Sequence, residues 1–271
     1  MRMLAMTTNR LSLLSRWRAA LCLLAGLTVG LSSASAHAAD EVKLLKAVST
    51  VGSRYGQTWQ DVTYLVVVKN LAYEKQVAIH DKQPDGTWTD LAASYAGDAG
   101  AGYELWKVTR QYQSWGTTPQ PTRDLEFVAK FTANGQTYWD NNGGANYHLG
   151  RADGPLLPRS NVLVATSYWQ ANGDVDIGID VKNLSYSKSV TVVYSTDGWA
   201  TSHEVAATFT SGYTVGYSYV SSPNAQGVER WLARIPAGTA TPAFYVRYEV
   251  NGQTYWDSNF GYNYPPIYPP L

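Results

Sequence analysis

The amino-acid sequence predicts an all-β protein made of two antiparallel β-sandwich domains in tandem. Three observations lead there. Apolar and polar residues alternate in Val175-Asp176-Ile177-Gly178-Ile179-Asp180-Val181, the period of a strand with one buried and one wetted face. Turn dipeptides such as Asp85-Gly86, Asn134-Gly135, Asp197-Gly198 and Asn251-Gly252 separate short runs of this kind, as in sandwiches. The chain also repeats itself. Val68-Lys69-Asn70-Leu71-Ala72-Tyr73 returns as Val181-Lys182-Asn183-Leu184-Ser185-Tyr186, and Asn134-Gly135-Gln136-Thr137-Tyr138-Trp139-Asp140 as Asn251-Gly252-Gln253-Thr254-Tyr255-Trp256-Asp257. Copies of roughly 105 residues are each large enough for a core of their own, so they read as domains rather than solenoid units.

In chain order, residues 1–38 read as a signal peptide. Arg-bearing residues 1–18 precede an apolar run from Ala19 to Leu31 and a small-residue stretch ending Ala36-His37-Ala38, after which cleavage is expected. The apolar run is too short for a membrane span, so the expected product is soluble and secreted, extracellular or periplasmic. Residues 39–148 form the first sandwich and 161–264 the second. Between them, 149–160 is rich in Gly and Pro and reads as a short, fairly stiff linker. Residues 265–271 are a Pro-rich tail.

Removing the signal changes the inventory. Four of the 21 Lys+Arg leave with it, so 17 remain against 21 Asp+Glu, a net charge near −4. A mildly acidic chain without a basic cluster lacks the footprint of a nucleic-acid or anionic-membrane binder. The single cysteine, Cys22, lies in the signal, which removes disulfides, thiolate metal sites and a cysteine nucleophile. Nine Trp, twenty Tyr and five Phe remain, more ring than a core of this size needs.

The last hairpin shows where some rings go. Asn251-Gly252 favours a two-residue type I′ turn, which pairs Val250 with Gln253, Tyr248 with Tyr255 and Arg247 with Trp256. Paired residues share a face, so Trp256 lies on the wet side with Arg247, and Tyr245 beside it. The same count puts Trp139 opposite Lys130, with Val128 where Tyr245 would be. Tyr138, Tyr255, Tyr248, Trp106 and Trp231 are expected in the cores.

The repeated Lys-Asn-Leu-x-Tyr, the Asp-Gly turns bearing Trp88 and Trp199, and the endings Tyr138–Tyr147 and Tyr255–Tyr264 resemble the starch-binding carbohydrate-binding modules of family 21. The resemblance spans both copies almost end to end. It implies immunoglobulin-like sandwiches that bind starch, glycogen and maltooligosaccharides without catalysis. Its first site maps to Trp199, Tyr245 and Trp256 in the second copy. In the first copy it maps to Trp88 and Trp139, with Val128 leaving the middle ring missing. Its second site maps to Tyr73, Tyr95 and Tyr103 in the first copy, and to Tyr186 and Phe209 in the second, where Val228 takes the third position. Asn142, Asn146, Asn259 and Asn263 match polar positions that are either sugar ligands or turn caps.

The chemistry agrees. A glucopyranose offers an apolar C–H face and a rim of hydroxyls, which suits aromatic faces flanked by amides. Enzyme readings find no support: Asp174, Asp176 and Asp180 read as the solvated face of a strand, His80, His148 and His203 stand apart, and there is no phosphate loop or Gly-x-Ser-x-Gly elbow. No cofactor or metal is implied. The expected partner is an α-glucan polysaccharide, with a separate secreted amylase as an open companion. The alternatives are the same modules on another polysaccharide, or a secreted adhesion or structural β-sandwich protein.

Overall fold

The computed structural model describes residues 40–117 and 119–266. The signal region 1–38 and the end of the tail, 267–271, lie outside the described residues. Within them the chain is all-β, its only helical turns being two short 3-10 segments.

In the first sandwich one sheet runs in the order β10 (Gly154–Leu156), β1 (Val42–Arg54), β2 (Gln57–Lys69), β6 (Tyr103–Gln113), β5 (Ser94–Asp98). The facing sheet runs β4 (Trp88–Ala92), β3 (Lys75–Lys82), β7 (Leu125–Ala133), β8 (Gln136–Asp140), with β9 (Tyr147–Leu149) also on β7. The second sandwich repeats the plan: β11 (Val162–Trp169), β12 (Val175–Lys182), β18 (Val228–Ile235), β15 (Thr208–Thr210) face β14 (His203–Ala206), β13 (Lys188–Ser195), β19 (Ala243–Val250), β20 (Gln253–Asp257). All pairings are antiparallel. Alternate residues of the two sheets point inward, so Tyr64, Phe127 and Phe131 fill one core and Phe244, Val246 and Tyr248 the other.

The segment 149–160, expected to be a short, fairly stiff linker, is built into the fold. Residues 154–156 add a strand to β1, and Leu157 is buried with Leu163 and Val228 against Leu45, the residue at the β1 bulge. The outer face of the first sandwich's β1-β2-β6 sheet is therefore packed against the second, and the described residues of the two sandwiches fall in one packed unit. Asp180, expected on a solvated face, is 1% exposed: it takes the Lys46 ammonium at 2.9 Å and the Arg230 guanidinium at 2.7 Å. Burial opposes its ionisation, but the two cations outweigh that and hold its carboxyl below the usual range. Alternation reports which residues leave the module's own core. It cannot tell water from a neighbouring module.

A second clasp is an insertion of the second copy alone. Phe209 and Trp231 are 22 positions apart where Tyr95 and Trp106 are 11, and the extra residues form a hairpin of β16 (Gly212–Val215) and β17 (Ser218–Ser221). Tyr217 at its tip meets Trp59 edge-on at 5.9 Å and hydrogen-bonds Arg54, while Tyr213 lies 3.8 Å beneath Arg230.

Candidate functional site

The β19–β20 hairpin has the register that an Asn-Gly type I′ turn requires, with φ of +51° at Asn251 and +71° at Gly252 and pairs Val250–Gln253, Tyr248–Tyr255 and Arg247–Trp256. Tyr248 is fully buried and its hydroxyl donates to the Lys182 carbonyl at 2.7 Å, whereas Trp256 is 55% exposed. Tyr245 shares the outer face, and Trp199 reaches it from the turn after β13. That turn is held by polar side chains. The Ser195 hydroxyl accepts the Trp199 N–H at 2.8 Å, and Asp197 accepts the backbone N–H of Thr201 at 3.0 Å and its hydroxyl at 2.7 Å. These Thr201 bonds, with one from Ser195, pull the Asp197 carboxyl down to about 2. They also offset the left-handed backbone of Trp199, φ +72°, which costs a non-glycine residue ~1–2 kcal/mol.

The result is a bent aromatic shelf. Trp199 and Tyr245 stack at 5.4 Å and 19°, and Trp256 stands edge-on to Tyr245 at 5.7 Å and 61°. One flank is charged: Arg247 donates to both Glu204 oxygens, at 2.8 and 2.9 Å, with its guanidinium 5.9 Å from the Trp256 ring centre.

The first copy completes the same shelf with a ring that sequence reasoning missed. His80 stacks on Trp88 at 5.1 Å and 13°, and meets Trp139 at 5.3 Å and 66°, nearly the geometry of the second copy. His80 pairs across the sheet with Val128, where the second copy pairs Val193 with Tyr245. The ring has moved to the other member of one cross-strand pair, and paired side chains share a face. The flank is matched too: Asp90 takes His80 Nδ1 at 2.5 Å and Lys130 at 2.6 Å, with Lys130 5.4 Å from the Trp139 ring. No tight turn joins β3 to β7, so their register was not open to counting from the sequence.

The second family site is assembled differently from the residue matching. Tyr95 meets Trp106 edge-on at 5.9 Å, but Tyr103 lies one residue out of phase with Trp106, on the other face, packed with Leu65, Ala99 and Leu105. Tyr73 is almost fully exposed. The second copy repeats this arrangement, with Phe209 edge-on to Trp231 at 6.0 Å and Tyr186, also fully exposed, lining a cavity of about 550 Å³ with both. Trp106 and Trp231, expected in the cores, only partly enter them. Each indole N–H donates to a Glu two residues earlier, Glu104 at 3.1 Å and Glu229 at 2.9 Å. Those carboxylates pair with Lys75 and Lys188, which also reach Asn70 and Asn183. The Glu-x-Trp spacing occurs in both copies and was the available signal.

Three of the four closing-motif asparagines engage their side chains with the protein itself. Asn142 donates to the Asn146 carbonyl at 3.0 Å and Asn259 to that of Asn263 at 3.1 Å, while Asn146 donates to Glu126 at 2.9 Å. All four have positive φ, a conformation asparagine tolerates better than most residues.

With this geometry in view, comparison with known proteins defines the class. The profile of the carbohydrate/starch-binding module (family 21) matches residues 47–150 and again 158–265. The chain belongs to that family and carries two of its modules in tandem. Glucoamylase 1 of Rhizopus oryzae is 32% identical over 110 residues, covering 40% of this chain and 17% of that protein. Protein phosphatase 1 regulatory subunit 3B of Homo sapiens is 38% identical over 92 residues, covering 32% and 31%. Glycogen-binding subunit 76A of Drosophila melanogaster is 31% identical over 97 residues, covering 34% and 13%. The chain thus spans less than a third of each of these relatives. Among solved structures, the starch-binding domain of the Rhizopus oryzae glucoamylase, in complex with beta-cyclodextrin and maltoheptaose, is 32% identical, covers 39% of this chain and 92% of that one, and has a TM-score of 0.30.

Proposed function

We propose that this protein is a secreted, non-catalytic binder of α-glucans such as starch, glycogen and maltooligosaccharides. The observation that carries the reading is the pair of matching shelves, Trp199–Tyr245–Trp256 and Trp88–His80–Trp139. In each, two near-parallel rings and a third turned by about 60° make a bent platform, which fits a curved α-1,4 chain better than a flat β-1,4 ribbon. The carboxylates beside the shelves are tied to cations, Asp90 to Lys130 and Glu204 to Arg247, and neither stands free as a general acid or base. Burying ~100 Å² of apolar sugar surface at ~25 cal/mol/Å² supplies ~2–3 kcal/mol before association costs, so one shelf alone binds weakly.

Affinity electrophoresis in gels containing soluble starch, glycogen, xylan or hydroxyethyl cellulose tests the reading. Starch and glycogen should retard the protein, β-cyclodextrin should compete, and incubation with starch should release no reducing sugar. Retardation by xylan or hydroxyethyl cellulose alone would reassign the ligand. Sustained release of reducing sugar, abolished by replacing a carboxylate, would overturn the non-enzymatic reading.

A further inference from the structure

The two closing loops share a backbone and differ in their rings. The first reads Asn142-Gly143-Gly144-Ala145-Asn146, the second Asn259-Phe260-Gly261-Tyr262-Asn263. Both make the same 3-10 turn, with φ of +68° at Gly143 and +58° at Phe260. Phe260 therefore holds a left-handed conformation that the first copy leaves to glycine, and strain of this kind in a side chain that stays partly exposed points to a use. Phe260 is 36% exposed and Tyr262 60%, so neither is chiefly filling a core.

Their position supplies the use. The Tyr262 hydroxyl donates to Asp98 at 2.7 Å, and the Phe260 carbonyl lies against Gly100, so the loop of the second copy rests on the β5–β6 turn of the first. Tyr95, 57% exposed, lies on β5 three residues before Asp98, on the same strand that the Tyr262 hydroxyl reaches. On the other side, Phe260 and Trp256 line one cavity of about 200 Å³ between the modules, closed from the first copy by Leu45, Leu65 and Leu105. Trp256 in turn meets Tyr245.

We propose that Phe260 and Tyr262 are glucan-contacting rings that join the Trp199–Tyr245–Trp256 shelf of the second module to Tyr95 of the first, making one track for a single linear α-glucan chain. This inference rests on the glucan-binding function proposed above and adds that a longer ligand crosses the boundary between modules. Leu45, Leu157, Leu163 and Val228 and the Lys46–Asp180–Arg230 cluster already seal the boundary, so the ring surface that Phe260 and Tyr262 leave exposed is not part of that seal.

The test uses the full two-module chain and the variants Phe260→Gly, Tyr262→Ala and Tyr262→Phe, titrated with β-cyclodextrin and with linear maltooligosaccharides of increasing length. Wild-type affinity should keep rising with chain length. Phe260→Gly and Tyr262→Ala should each weaken binding of the longest oligosaccharides by about 5–10-fold and that of β-cyclodextrin less than about twofold, the worth of one ring contact. Tyr262→Phe keeps the ring, loses the bond to Asp98 and should bind long chains like the wild type. Phe260→Gly restores the first copy's residue and relieves the backbone, so its melting temperature should stay level or rise. Unchanged long-chain affinity in Phe260→Gly and Tyr262→Ala would overturn the track. So would an equal loss on β-cyclodextrin, or a Tyr262→Phe loss as large as that of Tyr262→Ala. A wild-type protein that binds no glucan at all would instead remove the proposed function.

Discussion

Replacing Asp257 by Asn should change how stability depends on pH, with a sign set by the burial of this carboxylate. Asp257 ends β20 at the root of the closing loop. It accepts the Val164 N–H at 2.6 Å and the Tyr264 hydroxyl at 2.9 Å. Its counterpart Asp140 has the matching donors, Leu44 N–H and the Tyr147 hydroxyl at 2.8 Å each, and also the Arg159 guanidinium at 3.0 Å. Burial dominates at Asp257: the neutral donors offset only part of its cost, Lys46 adds a small opposing effect, and the acid is pushed up from 3.8 to about 6. Between pH ~4 and ~6 the folded state therefore binds more protons than the unfolded chain, and stability falls as pH rises. Two units at 1.36 kcal/mol each make a loss of ~3 kcal/mol, complete above pH ~6. Asn keeps the shape, can turn its carbonyl to Val164 and its amide to Tyr264, and does not titrate. Denaturant unfolding of Asp257→Asn and wild type at pH 4, 5, 6 and 7 should show the variant gaining on the wild type by up to ~3 kcal/mol across the series. A difference that stays flat with pH would refute the reasoning by showing that burial does not raise this acid, and a variant that falls further behind as pH rises would refute it by showing a carboxylate stabilised in its ionised form.

Lys46→Ala leaves buried Asp180 with Arg230 alone and should destabilise the chain by ~3 kcal/mol, lowering the melting temperature by roughly 6–12 °C in a thermal scan. Tyr248→Ala should cost ~3–5 kcal/mol by opening a cavity and stranding the Lys182 carbonyl, while Trp256→Ala should cost under ~1 kcal/mol and weaken glucan binding; paired melts and titrations separate the two. With the second shelf disabled by Trp256→Ala, His80→Ala should weaken the remaining β-cyclodextrin binding about tenfold by calorimetry, consistent with one ring's apolar contact, and unchanged binding would show His80 to be bystander packing.

What the sequence made legible was local. Tyr248 and Trp256 could be sent to opposite faces because Asn251-Gly252 fixes a register within four residues of each. His80 could not be seen as a shelf residue, because its partner Val128 lies 48 positions away and the pairing of β3 with β7 is set by the whole sandwich. Asp180 misled for a related reason: its period correctly turned it out of its own core, and the second surface that receives it belongs to the other copy. The β16–β17 hairpin has no counterpart in the first copy, so the repeat gave no template for it.

That packing alters what the duplication does. Two modules on a loose tether gain by capturing separate stretches of a polymer at high effective concentration, an advantage set by linker length. Here β10 is a strand of the first sandwich, Leu157 is buried at the boundary and Lys46 reaches into the second module. Halves ending at residue 150 and beginning at 157 would both lack β10 and would bare Leu45, Leu157, Leu163 and Val228, so separated halves would lose packing along with partnership. A fixed boundary holds the shelves in one orientation, which favours a ligand whose own curvature matches that spacing over any sufficiently long polymer. The contribution of each shelf is therefore to be measured by removing rings one at a time from the intact chain, where the spacing between the others is unchanged.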